Sequence, residues 1–386
     1  MTLQENAGAV RRFARAVKVA NWLQKLPAKL TPPPFRLMEI STAFWQSRAL
    51  YVAVQLDVAT VLGDGRLAVE DIATQVSAHP DATYRLLRML ASLDVFTEVA
   101  PRVFCNSKLS NHLRRDHPKG VSDLILMHNC EELSRPWYEQ LEAGVRTGEV
   151  PFELTFKEQL YAYMDGHGPF NALFSRAMDR VEALTGDSFV TEFDWSAFNR
   201  IFDIGGSKGG KSIAILKRHR HLTAVVVDRK AVVAGITRHL NELAEPGILS
   251  RITFQVGDAL TSVPLASSDK DIYLLSAILH GFDDGTCVDI LSNLRQACAK
   301  TGARIAVLDL VVPDHRADII STTFDLQMFV GTRGRERTLT EWLVLFEKSG
   351  LMLEEEVGLR SIGKMLVLRV SHTQTLNVKG RSMGGP

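Results

Sequence analysis

A glycine-rich turn at residues 202–212, FDIGGSKGGKS, admits two kinds of ligand. Counted from Gly205, it matches the P-loop pattern through Lys211 and Ser212, which would bind nucleotide phosphates with magnesium. Counted from Asp203, it is an acidic residue that closes a strand before a glycine turn, as in Rossmann-like nucleotide folds, and this predicts an adenosyl cofactor. The turn alone does not decide between the two interpretations.

Acidic residues at three predicted strand ends favour an adenosine without phosphates. Asp203 precedes the glycines directly, so its charge would repel phosphates and attract a cofactor that carries a sulfonium and an amino group. Asp228 ends the second strand, where a carboxylate accepts hydrogen bonds from ribose hydroxyls. Asp258 ends the third strand, where it can accept from an adenine amino group. Asp228 or Asp309 could equally hold magnesium, so the P-loop interpretation stays open on these residues.

His280 ends the fourth predicted strand and is the candidate base. Ligands bind at the carboxyl ends of strands in open parallel sheets. With an unperturbed pKa of about 6.5, imidazole can take a proton near neutral pH. From the residues alone, a solvent-facing histidine without a catalytic role is an equal interpretation.

Alternating strands and helices from residue 199 onward must position these residues, and they predict a parallel, doubly wound α/β sheet. Residues 36–118 read as helices followed by a hairpin, which is a winged-helix shape that reads DNA or serves as a dimerisation scaffold. Arg85 and Arg88 lie between leucines and a methionine and make a poor DNA surface, so the scaffold is favoured. Residues 119–195 are predicted helices rich in aromatic side chains, which form core or line a flat apolar pocket.

The two ends of the chain differ from the rest. Residues 1–35 form a basic helical arm, which could lie on a membrane, act as a transit peptide, or pack on a partner subunit or on its own chain. We favour the packed arm, because its apolar face is narrow. Residues 373–386 are polar, and we expect them to be disordered.

Composition excludes some function classes. A net charge of +1 gives no electrostatic footprint for nucleic acid or for a membrane surface. The four cysteines show no metal-ligand spacing, so we expect no metal site and reduced thiols, and we place the protein in the cytoplasm.

The catalytic half resembles class I S-adenosylmethionine-dependent methyltransferases. From about residue 35 to 370 the chain is similar to small-molecule O-methyltransferases of the caffeic-acid, hydroxyindole and bacterial polyketide-tailoring type. The matching stretches are FDIGGSKGG, VVVDRKAVV, GDAL, LLSAILHGFDDGTCVDILSNL, AVLDLVVP and DLQMFVGTRGRERTLTEWLVLFEKSGL. The resemblance implies a Rossmann-like catalytic domain over 119–372 and a winged-helix dimerisation domain over 36–118. It also implies S-adenosylmethionine as cofactor, S-adenosylhomocysteine as its product, an aromatic small-molecule acceptor and a homodimer.

The same resemblance assigns roles to individual residues. His280 would be the general base, flanked by Asp309 and Glu336. The cofactor would be bound by Asp203, Gly205, Gly206, Ser207, Gly209, Asp228, Arg229, Asp258, Ala259, Ser276 and Phe282. The acceptor would be bound by Met127, His128, Trp137, Phe174, Met178, Asp325 and Met328. His128 could equally be a structural histidine.

Some residues depart from the family pattern. The family more often has glutamate at the position of Asp309, so this contact is expected to be looser or bridged by water. Ser207 stands in place of a glycine, and Phe282 follows a glycine where the family often has Asp-Trp. Ser276 lies where plant members frequently have lysine.

The leading hypothesis is therefore O-methylation of a hydroxylated aromatic molecule in secondary metabolism. One alternative keeps the fold and the cofactor but methylates nitrogen or carbon, or catalyses hydroxylation, decarboxylation or a pericyclic step. A winged-helix regulator that senses a ligand and a P-loop NTPase are the further alternatives. No nucleic-acid or membrane partner is expected.

Overall fold

The N-terminal segment is a short extended stretch followed by two long helices. The computed structural model describes residues 2–236 and 245–371 of the 386-residue chain. Helix α1 covers Ala7–Leu30 and helix α2 covers Pro33–Gln55. Proline suits the first position of α2, because the N–H it lacks would have no partner there. The tail expected to be disordered, 373–386, lies outside the described residues.

Residues 2–6 attach this arm to the last strands of the chain. Leu3 donates its backbone N–H to Glu355 Oε2 over 2.7 Å, and Gln4 Oε1 accepts from the N–H of Gly358 over 2.8 Å. Gln4 also pairs with Phe193 as an isolated β-bridge. The arm therefore packs on its own chain at its start, which is one of the two partners that the sequence left open.

A winged-helix unit follows α2. Its elements are α3 (Val58–Leu62), β1 (Arg66–Ala68), α4 (Val69–Gln75), α5 (Pro80–Ala91), β2 (Phe96–Ala100) and β3 (Val103–Asn106). The three strands form an antiparallel sheet in the order β1-β3-β2. Buried leucine, isoleucine and phenylalanine side chains from both helices and strands form its core. This is the winged-helix shape predicted from the sequence.

Short helices connect this unit to the main sheet. They are α6 (Ser122–Asn129), α7 (Glu131–Glu139), α8 (Leu141–Thr147), α9 (Pro151–Phe156), α10 (Leu160–Gly166), α11 (Gly168–Thr185) and α12 (Ser188–Thr191), with 3-10 turns at Ser110–Leu113 and Trp195–Ala197. Phe152 and Phe170 are buried, and the Tyr163 ring packs edge-on against both. Much of this aromatic content is therefore core.

The main sheet is built from the second half of the chain. Its strands are β4 (Arg200–Ile204), β5 (Thr223–Asp228), β6 (Ile252–Val256), β7 (Asp271–Ser276), β8 (Arg304–Val312), β9 (Arg337–Thr338), β10 (Leu351–Gly358) and β11 (Gly363–Val370). The helices are α13 (Gly210–Arg218), α14 (Lys230–Ile236), α15 (Pro246–Leu249), α16 (Asp284–Cys298), α17 (Ile319–Gly331) and α18 (Leu339–Lys348).

The strand order is β10-β11-β8-β7-β4-β5-β6, with β9 beside β8. Strands β4 to β8 run parallel, whereas β11 is antiparallel to β8 and β10 is antiparallel to β11. The strand order changes direction at β4, because β5 and β6 follow on one side of it and β7 and β8 on the other. Ligands of such open α/β sheets bind at the carboxyl ends of the strands beside this switch point. The predicted α/β fold class is confirmed, and the antiparallel pair at the C-terminal side adds to it. No helix in the described ranges is long and apolar enough to cross a membrane.

Candidate active site

His280 faces two buried carboxylates just beyond the end of β7. It lies in a 3-10 turn, Leu279–Gly281, a few residues past the strand end rather than in the strand itself. Its Nδ1 is 2.9 Å from Glu336 Oε1 and 3.5 Å from Asp309 Oδ1. Both carboxyl side chains are 2% exposed, whereas the imidazole is 23% exposed. The structure therefore brings the three predicted catalytic residues together, with the imidazole as the accessible member.

The hydrogen bond to Glu336 determines which imidazole nitrogen is available. Since the carboxylate accepts the proton of Nδ1–H, the neutral ring carries its lone pair on Nε2. No group in the described ranges forms a hydrogen bond with Nε2. Nε2 is therefore the atom that can accept a proton from a ligand.

The two carboxylates also set the ionisation of the cluster. Burial alone would lower the pKa of His280, but Asp309 and Glu336 outweigh it and raise that pKa to about 9. Burial raises the pKa of Asp309 as well, to about 6. Asp309 Oδ2 and Glu336 Oε2 have no hydrogen-bond partner in the described part of the chain. At neutral pH the imidazole thus carries a proton, which it must lose before it can act as a base.

A buried arginine fixes the turn that carries His280. Arg337 is fully buried and donates to the carbonyl oxygen of Leu279 over 3.1 Å and to that of Phe282 over 2.9 Å. Asp284 Oδ1 balances its charge at 2.8 Å. Sequence analysis missed Arg337, because its carbonyl partners are 55 and 58 residues away and carbonyls leave no pattern in a sequence.

The segment before Glu336 passes so close to the backbone of the His280 turn that only a glycine, Gly334, fits there. A Cβ on Gly334 would overlap the carbonyl oxygen of His280. Gly334→Ala is therefore expected to displace the turn and to lower turnover by about a hundredfold, the effect of a misplacement of roughly 1 Å. Steady-state rates test this, with Gly247→Ala as the control because a Cβ there meets open space. Equal turnover of the two variants would contradict the expectation.

The glycine-rich turn after β4 has the backbone that a cofactor cradle requires. Gly205 has a φ of +70°, and a Cβ there would lie 2.5 Å from Ile278 Cδ1. A Cβ on Gly206 would lie 2.5 Å from Asp203 Cγ. Gly209 has a φ of +74°, and Ser207 has a φ of +49°, which serine adopts less readily than the glycine common in the family. The positive φ angles and the close approach of Ile278 and Asp203 are what a tight strand-to-helix turn of the nucleotide-binding kind requires, so the turn fits the implied cofactor.

Asp203 lies beneath this turn rather than in the open cleft. It is 2% exposed, and its Oδ2 accepts a hydrogen bond from Ser212 Oγ over 2.7 Å. Burial raises the pKa of Asp203 to about 6. Asp203 therefore supports the glycine-rich turn from beneath.

The residues that complete the P-loop pattern face carboxylates. Lys211 Nζ is 3.5 Å from Glu182 Oε1, and Ser212 is bonded to Asp203. Lys208 Nζ is 2.8 Å from Asp179 Oδ2, so two lysines of the turn are held by α11. Carboxylates therefore lie beside the side chains that would otherwise meet phosphate and magnesium. This arrangement does not suit a nucleoside triphosphate.

Asp228 connects β5 to the glycine-rich turn. Its Oδ2 accepts the Ser207 N–H over 2.8 Å and its Oδ1 accepts the Arg229 N–H over 2.7 Å, which leaves further lone pairs on both oxygens. Asp228→Ala is expected to weaken S-adenosylmethionine binding by about 1.5–3 kcal/mol, the scale of charge-assisted hydrogen bonds. Calorimetry measures this, and unchanged affinity, or tight Mg-ATP binding that depends on Lys211, would contradict it.

The other predicted cofactor residues surround the same strand ends. Asp258 is exposed two residues after β6, and Ala259 is half-buried beside it. Ser276 is the last residue of β7, and Arg229 is exposed after β5. Phe282 packs partly into the core next to the His280 turn. The structure thus gathers these residues along one edge of the sheet, as predicted.

Helix α10 covers this edge, which the sequence did not indicate. Tyr161 Oη would be 3.3 Å from a Cβ on Gly281, next to His280. At the other end of α10, Asp165 Oδ2 lies 3.7 Å from Arg229 Nη1. Tyr161 belongs to the aromatic-rich segment 119–195, where the sequence spacing of the aromatic residues does not distinguish core residues from site residues.

The predicted acceptor residues separate into two groups. Five of them are wholly or partly accessible: His128 is exposed, Met178 is 38% exposed, and Trp137, Phe174 and Met328 are half-buried. Desolvation by neighbouring groups lowers the pKa of His128 although the side chain remains open to solvent. Trp137 Nε1 donates to Gln327 Oε1 over 3.2 Å and so links α7 to α17.

Met127 and Asp325 have other contacts. Met127 is 4% exposed and packs within the helical core, so the expectation that it lines the acceptor pocket is not supported. Asp325 Oδ1 accepts the backbone N–H of Glu336 over 3.0 Å. Asp325 therefore fixes the backbone of Glu336 in this structure.

Two family models match the chain. One is described as the O-methyltransferase domain and matches residues 138–352. The other is described as the O-methyltransferase dimerisation domain and matches residues 38–116. Together they cover the winged-helix unit, most of the connecting helices and the sheet as far as β10.

Individual proteins agree with these matches. The phenazine O-methyltransferase of Lysobacter antibioticus is 31% identical over 318 residues, which are 82% of this chain and 91% of the relative. The phenazine-1-carboxylate N-methyltransferase of Pseudomonas aeruginosa is 29% identical over 331 residues, 86% of this chain and 96% of the relative. The structure of human N-acetylserotonin methyltransferase in complex with S-adenosylmethionine matches with a TM-score of 0.78 at 25% identity, covering 88% of this chain and 99% of that one.

The chain therefore belongs to the family of S-adenosylmethionine-dependent O-methyltransferases, and it is a methyltransferase.

Proposed function

We propose that the protein methylates a hydroxyl of an aromatic small molecule in secondary metabolism, with His280 as the general base. The observation that carries the proposal is the 2.9 Å hydrogen bond between His280 Nδ1 and Glu336 Oε1, with Asp309 Oδ1 at 3.5 Å. This arrangement raises the pKa of His280 to about 9. A phenol has a pKa near 10, so base and acceptor are closely matched for proton transfer.

Each group in the cluster has a defined task in this reaction. Nε2 of His280 accepts the proton of the acceptor hydroxyl, and the Glu336 carboxylate stabilises the imidazolium that forms. Asp309 adds a second negative charge at a longer distance. Arg337 keeps the turn in place, and Asp325 orients the backbone of Glu336.

The cofactor would be held along the ends of β4, β5 and β6. S-adenosylmethionine supplies the electrophilic methyl group when bound. Gly205, Gly206, Ser207 and Gly209 form the turn against which it would lie. Asp228 would bind the ribose hydroxyls and Asp258 the adenine amino group.

The acceptor would be walled by the accessible candidate residues of the connecting helices and α17. His128, Trp137, Phe174, Met178 and Met328 combine apolar surface with two polar nitrogen groups. Several relatives are named for flat aromatic acceptors, phenazines and a naphthoate among them. We therefore propose a fused or substituted aromatic ring as the acceptor.

N-methylation is the second candidate, because the N-methyltransferase of Pseudomonas aeruginosa aligns with 86% of this chain. A ring nitrogen with a free lone pair needs no base. The two reactions therefore differ in their dependence on His280.

The test is product analysis with S-adenosylmethionine that carries a ¹³C-labelled methyl group. Hydroxylated phenazines, hydroxynaphthoates and phenazine-1-carboxylate are incubated with the protein, and mass spectrometry and NMR locate the label. A methyl on oxygen, formed much more slowly by His280→Gln, is the expected result. A methyl on nitrogen that forms equally fast with His280→Gln would support the second candidate.

A chelator control belongs to the same experiment. The ligand atoms of His280, Asp309 and Glu336 lie within 4.8 Å of one another, so these residues also have the composition of a metal site. Activity that is lost with EDTA and restored by a divalent ion would contradict the role of His280 as a base.

We also propose a cytoplasmic homodimer formed through residues 36–118, with no nucleic-acid or membrane partner. The matched dimerisation domain supports the dimer, as do Phe44, Trp45 and Val52, which are exposed on α2. Full activity in a protein that light scattering shows to be monomeric at micromolar concentration would contradict this assembly.

A further inference from the structure

A cleft on the far side of α11 lies apart from the site described above. Its volume is about 620 Å³, which is within the usual range for a small-molecule site. Helices α2, α6 and α11 and the loop before α6 form its walls. We call it the α2–α11 cleft, and the lining residues that bear on its chemistry are Tyr51, Arg115, Leu126, Leu173, Arg176 and Arg180.

Helix α11 separates this cleft from the glycine-rich turn and the proposed acceptor wall. With 3.6 residues per turn, Arg176 and Arg180 lie at about 300° and 340° around the helix axis when Leu173 is set at 0°. The residues that hold the turn or belong to the proposed acceptor wall lie between about 100° and 240°. They are Phe174, Met178, Asp179 and Glu182. The cleft and the site therefore lie on opposite sides of one helix.

Two arginines of α11 share a single carboxylate in the cleft. Arg176 Nε is 2.9 Å from Asp123 Oδ1, and Arg180 Nε is 3.4 Å from Asp123 Oδ2. The terminal nitrogens of both guanidinium groups form no hydrogen bond with any residue in the described part of the chain. Since a guanidinium binds a carboxylate best through two parallel N–H groups, these nitrogens are the donors that a ligand would meet.

The loop before α6 contributes the other two arginines of the lining. Arg115 Nε is 3.0 Å from Asp57 Oδ2, and the Arg115 side chain is 73% exposed. Arg114 is neutralised from outside the cleft, because its partners Asp64 and Asp116 are exposed and do not line the cleft. Three arginines therefore face the two carboxylates of the lining, those of Asp57 and Asp123, and this excess of positive charge favours an anion.

The remaining wall of the cleft is apolar. It is formed by Tyr51 of α2, Leu126 of α6 and Leu173 of α11. The Tyr51 ring is held in place, because Arg48 Cζ lies 4.4 Å from its centre and Arg48 Nη1 donates to the carbonyl oxygen of Asn129 over 2.7 Å. A flat apolar ring would bury its surface against these side chains, which favours binding.

We propose that the α2–α11 cleft binds an aromatic carboxylate. The carboxylate would pair with Arg176 and Arg180, and the ring would lie against Tyr51 and Leu173. A neutral aromatic molecule would leave the guanidinium donors unused, and an inorganic anion would leave the apolar wall in water. This is a second ligand site, and it does not depend on which atom the enzyme methylates.

Calorimetry of the full chain saturated with S-adenosylhomocysteine tests the proposal with 2-naphthoate and its neutral analogue 2-naphthamide. We expect 2-naphthoate to bind, and Arg176→Gln/Arg180→Gln to weaken this binding at least about thirtyfold through the loss of charge-assisted hydrogen bonds. 2-Naphthamide should bind at least about tenfold more weakly than 2-naphthoate. The control, Arg146→Gln/Arg316→Gln, removes two exposed arginines that do not line the cleft and should leave the affinity within about threefold of the wild type.

Gln55, which is exposed and lines the cleft, provides a test that leaves every ion pair in place. Gln55→Lys should strengthen 2-naphthoate binding and Gln55→Glu should weaken it, each by about threefold, because the added charge attracts or repels the carboxylate. These two variants carry the test if circular dichroism shows that the arginine variant does not fold. Equal affinity in both, or no binding of 2-naphthoate to the wild type, would overturn the proposal.

Crystals soaked with 6-bromo-2-naphthoate locate the ligand directly. The anomalous signal of the bromine should lie beside Tyr51 and Leu173. A bromine found only beside His280 would overturn the proposal in favour of binding at the acceptor site. Displacement of 2-naphthoate by an equal concentration of inorganic phosphate would overturn it in favour of a site for small anions.

Discussion

His280→Gln is expected to lower the rate of methyl transfer at pH 7.5 by about a hundredfold to ten-thousandfold, the usual contribution of general base catalysis. Glutamine retains a donor for Glu336 but provides no basic nitrogen where Nε2 now lies. Initial rates with the identified acceptor measure the loss. S-adenosylhomocysteine affinity should stay within about threefold of the wild type, because His280 is proposed to face the acceptor rather than the ribose.

Two comparisons make this result specific. The deficit should shrink as the pH approaches that of the acceptor's own ionisation, because solvent then removes the proton. Asp309→Asn should be less harmful, since Asp309 lies 3.5 Å from the imidazole while Glu336 lies at 2.9 Å. A wild-type rate in His280→Gln at neutral pH would show that the reaction is methylation of an already nucleophilic atom, or a different reaction.

The wild-type rate is expected to rise about fiftyfold between pH 7 and pH 9, because a base with a pKa of about 9 is neutral in only about one molecule in a hundred at pH 7 and in about half of the molecules at pH 9. The rate rises with pH because the two carboxylates stabilise the protonated imidazole, so that His280 loses its proton only at higher pH. The rate is measured with both substrates below saturation, where it reports the free enzyme, and with an acceptor whose hydroxyl ionises above pH 10. A flat profile over this range would contradict the assignment.

Glu336→Gln provides the matched variant for this profile. Removal of the hydrogen-bonded charge lowers the pKa of His280, so the rise should move to lower pH. In ¹⁵N-histidine NMR of the free protein, the resonance missing from His280→Gln should titrate near pH 9 in the wild type and lower in Glu336→Gln. A midpoint that is unchanged in Glu336→Gln would show that the carboxylate does not control the base.

Local patterns were sufficient to predict the parallel strands and the residues that follow them. β4, β5, β7 and β8 are short apolar runs buried on both faces, and such runs are legible in a sequence. β6, at the edge of the sheet, buries Ile252 and part of Phe254 on one face only. The antiparallel pair β10 and β11 was not predicted, since the glutamates of LMLEEEVG weaken the apolar signal of β10. The resemblance extended over these residues without revealing how they pair.

The catalytic cluster was predicted from the resemblance, and its supports were not. His280 and Glu336 belong to matching stretches of sequence, but the priority of Glu336 over Asp309 depends on a difference of less than 1 Å. Arg337 donates to backbone carbonyl oxygens, and Gly334 leaves room for one. Every residue has a carbonyl, so no residue type in the sequence marks these contacts. The burial of Met127 depends on how α6 is rotated against its neighbours, and the spacing of LILMHN does not determine that rotation.

Helix α11 links the glycine-rich turn to two residues of the proposed acceptor wall. It holds the cofactor turn through the Asp179 and Glu182 ion pairs, and it also carries Phe174 and Met178 of the proposed acceptor wall. An adjustment of the turn on loading that is transmitted through these ion pairs would move that wall as well. By thermodynamic reciprocity, an acceptor that binds more tightly to the loaded protein must strengthen cofactor binding by the same factor.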